Sequence, residues 1–547
     1  MAAPDIKRQR ETGVIKKRWR GRRSVAIVFP DSYGLAMANL GFQRVYELLN
    51  QNEDIVAERF FYNNTPDDVR SAESNRHLAE FDAIIFSISF EPSYLNMAPF
   101  LLQAGIPPLR KDRKEGDPLV LAGGVACQIN PCPVADFVDA FLLGDFEAIH
   151  EDFTGFLIDE CASDGKKEGL LAELVDRVRG VYCPAGHSKR HPVTPAFSKG
   201  GLLTVPHTVV VSKGSSFPNT FLLEIARGCG RGCRFCAAGF VYRPPRNWSE
   251  EAIEYTLQDT RGAGKVGLVG LEYASRSFVS CLSDTLIKRG FQLGFSSLRA
   301  DGLTEEFVRL LVRSKNYTAT IAPEAGSERL RRVINKNLNE DQIISAAEIL
   351  SRAGLKNLKL YFMLGLPMEE DRDVEEIAIL SKKIRDVMLG FAKGRGSVGK
   401  VIVSVSTFVP KAWTPFQWAA FADFDVLKRR RAILKRMLGS EPNMKLRLDS
   451  VEGSTIQALL SRGDEKLGRI LTGLVLKGLG NKGIVKKTAD IAEDYLKERD
   501  LKEEFSWEVV NHRVKRNFLL AQWNKAQRAH ETAFCRLQVC KRCGACG

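Results

Sequence analysis

FLLEIARGCGRGCRFCAAGFVYRPP, residues 221–245, is the stretch that decides the fold. Within it Cys229, Cys233 and Cys236 stand as C-x3-C-x2-C. Three thiolates on one short loop hold three corners of a 4Fe–4S cube. Such clusters ordinarily take four cysteines, so the remaining iron stays open to a substrate or cofactor. The apolar run Phe221 to Ile225 enters the loop and reads as a β-strand. The loop then lies at a strand's C-terminal end, where parallel α/β sheets bind ligands. A zinc knuckle short of one ligand is the competing reading; spacing, the aromatic Phe235 and the strand context speak against it.

Strand-like runs recur on both sides of this loop. Before it come VAIVF (25–29), DIVAERFFY (54–62), DAIIFSISF (82–90), PLVLAG (118–123) and VDAFLLG (138–144), with amphipathic stretches between or after them. Strands alternating with helices predict a parallel sheet with right-handed crossovers. The expectation is an α/β chain whose residues 24–182 form a flavodoxin-like (Rossmann-type) doubly wound domain. Ligands meet such a domain at its strand C-termini, here PDSYG (30–34), SISF (87–90) and AGG (122–124). Pro, Gly and Ser mark 183–218 as a linker. Residues 219–420 then carry the Cys-bearing strand and VGLVGL (266–271), FQLGFSSL (291–298), YTATIAP (317–323), LKLYFMLGLP (358–367) and VIVSVSTFVP (401–410), which makes six βα units. Residues 421–528 read as a small α-rich region, and 529–547 as a Cys-rich metal-binding tail.

With 44% apolar and 27% charged residues the chain reads as globular. It has no apolar run long enough to span a bilayer and no apolar signal core. Its twelve cysteines fall into two tight groups plus singles, which is metal ligation in a reducing compartment rather than a disulfide framework. The expected location is the cytoplasm. The net charge is +14, and nine Lys or Arg lie in residues 1–23, read as a flexible basic tail. Such charge attracts phosphate polyanions, so RNA is kept as an alternative partner, although no RNA-binding motif stands out.

The tail groups Cys535, Cys540, Cys543 and Cys546 as C-x4-C-x2-C-x2-C. Zinc ribbons separate their two knuckles by a dozen or more residues. Four thiolates this close favour a second Fe–S cluster over zinc, with Lys541 and Arg542 offsetting the negative charge. Cys127 and Cys132 read as ordinary small residues.

The triplet, with Phe235 just before its last cysteine, resembles the signature of the radical S-adenosylmethionine (SAM) superfamily. The resemblance implies a partial (β/α)6 TIM-like barrel over 219–420. It also implies a cluster whose open iron is chelated by SAM, and reductive cleavage to a 5′-deoxyadenosyl radical. An electron donor such as flavodoxin or ferredoxin is implied with it. Carried over residue by residue, Phe235 packs near adenine or plugs the loop into the core. Gly270, in Val269–Gly270–Leu271–Glu272, is a loose counterpart of the Gly-Gly-Glu motif that holds the SAM amino group. Arg299 pairs with the SAM carboxylate or makes an ordinary ion pair. Glu324, in APEAGSERL (322–330), meets the ribose or caps a helix N-terminus, as Ser327 could, and the small Gly326 beside it is a further SAM-contact candidate. Leu364, in LGLP (364–367), presents backbone to adenine.

The N-terminal segment resembles the cobalamin-binding domain fused to many of these enzymes. Asp31, Ser87, Gly123 and Gly124 match that pattern. In the D-x-H-x-x-G loop, however, Tyr33 replaces the cobalt-ligating His and Ala36 the Gly. Either cobalamin binds without a His ligand, or the domain is a relative that binds none. Three functions follow: cobalamin-dependent methyl transfer to an unactivated carbon; a cobalamin-independent radical enzyme using the tail cluster for sulfur insertion or redox modification of RNA or peptide; or a non-enzymatic, metal-stabilised RNA-binding protein.

Overall fold

A computed structural model of the protein describes residues 10–62, 69–160, 167–186, 191–198, 202–270, 274–295, 298–315, 317–392, 399–535, 540 and 542–546. The first sheet contains β1 (Arg23–Phe29), β2 (Ile55–Phe61), β3 (Ala83–Ser87), β4 (Leu119–Gly123), β5 (Ala140–Leu142) and β6 (Val181–Tyr182), in the order β2-β1-β3-β4-β5-β6. All neighbours are parallel except β5 and β6. Both faces are covered by helices, so the strands are buried along almost their whole length, Glu58 and Arg59 of β2 included. The order reverses between β1 and β3, and the crevice at that reversal opens at the strand C-termini.

The segment 10–23 is no flexible tail. Glu11–Thr12 pair antiparallel with Val211–Ser212. The buried Arg59 draws the Glu11 carboxylate in, at 2.9 Å, and Trp19 Nε1 donates to Glu58 at 2.8 Å. Lys17 Nζ donates to the carbonyls of Asn52 and Ile55. A basic run says nothing of such partners, which lie on other elements. Lys7 and Arg8 fall outside the described residues. The described end of the 183–218 connector is also packed: Gln43 Oε1 accepts from the amides of Val209 and Val210.

The second unit carries β7 (Thr220–Glu224), β8 (Lys265–Val269), β9 (Gln292–Phe295), β10 (Thr318–Glu324), β11 (Asn357–Leu364), β12 (Val401–Thr407) and β13 (Met444–Leu448). They form parallel sheets β9-β8-β7 and β10-β11-β12-β13, joined by a parallel bridge between Leu298 and Ile321. Sequential parallel strands with helical crossovers make an open barrel. Two expectations change here. The barrel has seven described strands rather than six, and it runs past residue 420 through the helix Phe424–Leu438 into β13. LRL (446–448) is the last strand signal in the region read as α-rich, and Met444–Leu448 pairs parallel to β12 as part of the barrel.

The α-rich region packs against the first domain. Leu459, Leu467 and Leu471 share one apolar cluster with Val134 and Phe137 of the first domain. Asn130 Nδ2 donates to the Ser461 and Gly463 carbonyls. Among the described residues no helix is long and apolar enough to cross a membrane.

Candidate active site

The strand β7 ends at Glu224, and the cysteine loop follows at once. Three separate elements grip that loop. Arg234, fully buried, donates to the carbonyls of Arg332 and Val333 at the end of the helix Glu328–Val333, and to the carbonyl of His530. Burial pulls its pKa down to about 10. Asn335 Nδ2 donates to the Gly232 carbonyl at 3.1 Å. Its Oδ1 accepts from the Thr532 amide at 2.7 Å. Arg231 pairs with Asp301 at 3.3 Å, and its amide donates to Cys229 Sγ at 3.4 Å.

Cys229, Cys233 and Cys236 are all partly exposed as whole residues. Burial of the thiol pushes Cys236 up to about 12, with the neighbouring Cys233 and Cys229 adding to it, so the sulfurs sense one another. Lys336 brings a cation to the group. Its ammonium, 8% exposed, pairs with Glu324 at 3.3 Å. Burial lowers its affinity for a proton, but Glu324 and Cys233 outweigh that and hold its pKa above the usual value. Among the described residues no set of three His, Cys, Asp or Glu side chains is drawn in around a single-ion site.

A cavity of about 730 Å³ joins the two units. Ser87, Gly123 and Gly124 line it from the first sheet, and Cys229 and Gly270 from the barrel. It continues inside the barrel as far as Lys265 and Thr318, the first residues of β8 and β10. Its wall carries a dense charge network. Arg227 donates to Glu224 and Asp145 at 2.7 Å each and to Glu147 at 3.1 Å, tying the barrel to the first domain. Arg246 also pairs with Asp145.

The other expected residues sit elsewhere. Asp31 stays at the end of β1 and accepts from the Ser32 amide. Phe235 packs with the apolar cluster of Phe240, Leu330 and Trp523, as a plug into the core. Arg299 is committed to Asp301 at 2.8 Å and to the Lys336 carbonyl at 3.0 Å, the ordinary ion pair of its two readings. The Leu364 carbonyl accepts from the Phe408 amide, so that backbone oxygen already has a partner. Leu271 and Glu272 of the loose Gly-Gly-Glu counterpart lie outside the described residues, as does Lys541. Gly270 has φ +90°, and a Cβ there would lie 1.9 Å from the Ala226 carbonyl. Only glycine fits that close approach.

Gly326 is a packing glycine. A Cβ would lie 2.2 Å from the Ile377 nitrogen and 2.6 Å from the Asp373 carbonyl, both backbone atoms of the helix Asp371–Ala392. Gly326→Ala must push that helix outward, and costs about 1–3 kcal/mol. Urea unfolding checks this, and a neutral substitution would refute the close-packing account. Ser327 caps the next helix, accepting from the Leu330 amide.

Lys336, Asn335, Arg234 and Arg227 were not singled out in the sequence. One signal was available: Asn335 and Asn337, both at positive φ, bracket Lys336. Asn tolerates that region, so an Asn-Lys-Asn run marks a tight turn.

Residues 223–380 match the family model described as Radical SAM superfamily, and residues 41–184 that described as Radical SAM proteins, N-terminal. An uncharacterized protein of Methanocaldococcus jannaschii is 28% identical over 456 residues, covering 82% of this chain and 90% of the relative. The chain is also similar to the radical S-adenosylmethionine methyltransferase TsrM from Kitasatospora setae, solved with cobalamin and a [4Fe-4S] cluster. That likeness has 10% identity and a TM-score of 0.48, over 86% of this chain and all 100% of that one. The cobalamin-dependent radical enzyme OxsB gives 14% identity and a TM-score of 0.48, over 92% of this chain and 79% of that one.

Proposed function

For a chain that belongs to the radical SAM superfamily and is an enzyme, we propose reductive cleavage of SAM at a 4Fe–4S cluster held by Cys229, Cys233 and Cys236, serving methyl transfer from cobalamin to an unactivated carbon. When bound, the cluster supplies the electron that splits SAM, and the corrinoid supplies the methyl group. One observation carries the reading: Cys229 and Gly270 share a single cavity with Ser87, Gly123 and Gly124, so the two expected cofactor sites face one another.

The donor set suits the groups. Three thiols on one loop leave one iron for SAM. The Arg231 amide aims at Cys229 Sγ, and Lys336 offsets thiolate charge. Glu324, pinned by Lys336, is held for the ribose. Apolar walls such as Leu142, Leu222 and Leu268 keep water from a reactive radical.

If cobalamin binds, Tyr33, which stands where the resemblance would put a cobalt-ligating His, would not serve as its ligand. The Tyr33 hydroxyl donates to Glu11 at 2.6 Å or Ser212 Oγ at 2.7 Å, and burial with the Glu11 charge holds its pKa far above the usual value. Tyr33→Phe therefore keeps cobalamin affinity and its visible spectrum, and loses about 1–2 kcal/mol of stability from the broken hydrogen bonds. A changed spectrum would make Tyr33 a ligand after all.

The test is anaerobic reconstitution with iron, sulfide and hydroxocobalamin, then bound cobalt and reductant-dependent 5′-deoxyadenosine together. Stoichiometric cobalt with SAM cleavage supports the proposal. Cleavage without cobalt favours the cobalamin-independent radical enzyme, and no cleavage by a filled cluster in the presence of reductant ends both.

A further inference from the structure

The C-terminal tail returns to the cysteine loop. The Cys535 amide donates to the Gly230 carbonyl at 2.8 Å, between Cys229 and Cys233. The Phe534 ring lies under the Arg231 guanidinium, 4.2 Å from ring centre to Arg231 Cζ. One small cavity is lined by Cys535, Cys540 and Cys543 on the tail side, and by Gly230, Arg231 and Gly232 on the loop side. Cys543 is buried, and its carbonyl accepts from the Lys515 amide at 2.8 Å, at the start of the helix Arg516–Gln527. Trp523 of that helix shares an apolar cluster with Phe240 and Val241, which follow the loop.

Arg243 brings a cation to the cavity shared by loop and tail. It lies over the Phe240 and Phe518 rings.

We infer that Cys535, Cys540, Cys543 and Cys546 bind a thiolate-ligated metal centre seated on the back of the Cys229–Cys236 loop, and that this centre holds the loop in place. The inference builds on the loop as a cluster site, as proposed above. The physical reason is chain order. Thr532 and His530 grip the loop through Asn335 and Arg234. They lie only a few residues before Cys535, so whatever fixes the tail fixes the grip. Four thiolates on one metal centre tie this segment down.

The decisive experiment counts metal in full-length protein reconstituted without oxygen. Wild type holds about eight irons. The Cys540→Ala/Cys546→Ala double variant loses the tail metal alone, and a chelator bleaches its remaining cluster at least about tenfold faster, as expected when an outer support is lost. Cys281→Ala, an exposed cysteine elsewhere, changes neither quantity.

A second readout needs no tail variant. In the Cys233→Ala background, adding metal protects the amides of 228–237 from hydrogen exchange. An unchanged metal count in the double variant overturns the site, and unchanged exchange together with unchanged bleaching overturns its hold on the loop. If Cys233→Ala loses no metal while the double variant does, the loop reading fails and the tail site stands.

Discussion

Replacing Cys233 with alanine yields a folded chain that lacks about four irons and makes no detectable 5′-deoxyadenosine. The loop keeps its seat, because Arg234 and Asn335 hold it through backbone carbonyls rather than through the thiol. Loss of one corner ligand removes the only geometry that leaves a single iron open. The fall in activity therefore exceeds the roughly 100-fold typical of losing an outer partner. Lys336→Met is the contrasting case. Its ammonium touches Glu324 and influences Cys233 from outside, so iron stays bound and SAM cleavage falls by about 10–100-fold. Iron and 5′-deoxyadenosine measured on both variants separate ligand from support. Full iron in Cys233→Ala, or none in Lys336→Met, would reverse the two roles.

How much of this was readable from the chain depends on sequence distance. The cysteine triplet, β7 and the ends of β3 and β4 are local patterns, and the cavity brings Cys229, Gly270, Ser87, Gly123 and Gly124 together. Local patterns do not name partners. Arg299 was read as free for a carboxylate or paired at the surface, and the Asp301 two residues away takes it. Gly326 was read with the SAM-binding strand, yet its role is set by Ile377 and Asp373 on a helix far along the chain. The order of 10–23 rests on Arg59 and Tyr46, which need Glu11 and Ile15. Nothing in the run of basic residues reports such long-range demands. The same holds for the tail. Its spacing suggests a metal, but long-range contacts such as the Cys535–Gly230 hydrogen bond and the Arg231–Phe534 stacking set it against the loop.

Arg227→Met tests the opposite kind of residue, one that binds no metal yet joins the two units. Its guanidinium is shared by Glu224 of the barrel and by Asp145 and Glu147 of the first domain; the side chains of Asp145 and Glu147 are only 1% and 3% exposed. Removing one partner of a buried ion network strands the other charges and costs about 3–5 kcal/mol. Arg246 still serves Asp145, but Arg44, paired with Glu47, reaches Glu147 only at 3.7 Å, so the orphaned charge falls mainly on Glu224 and Glu147. The sign of the pH dependence follows. In the wild type, burial would raise Glu147, but Arg227 outweighs it and holds the pKa below the ordinary carboxylate value. That contribution is complete above the unfolded carboxyl pKa, about 4.3, and is lost as pH falls through the lower folded one. Without Arg227, desolvation dominates and the Glu147 pKa rises. The variant then pays most at pH 7–8 and recovers as protonation relieves the buried charge. Calorimetry of both proteins between pH 5 and pH 8 should give a stability gap that narrows towards acid, with the first domain and the barrel melting in separated steps. A gap that stays constant with pH, or one below about 1 kcal/mol, would mean the carboxylates find other cations and the network is not what joins the domains.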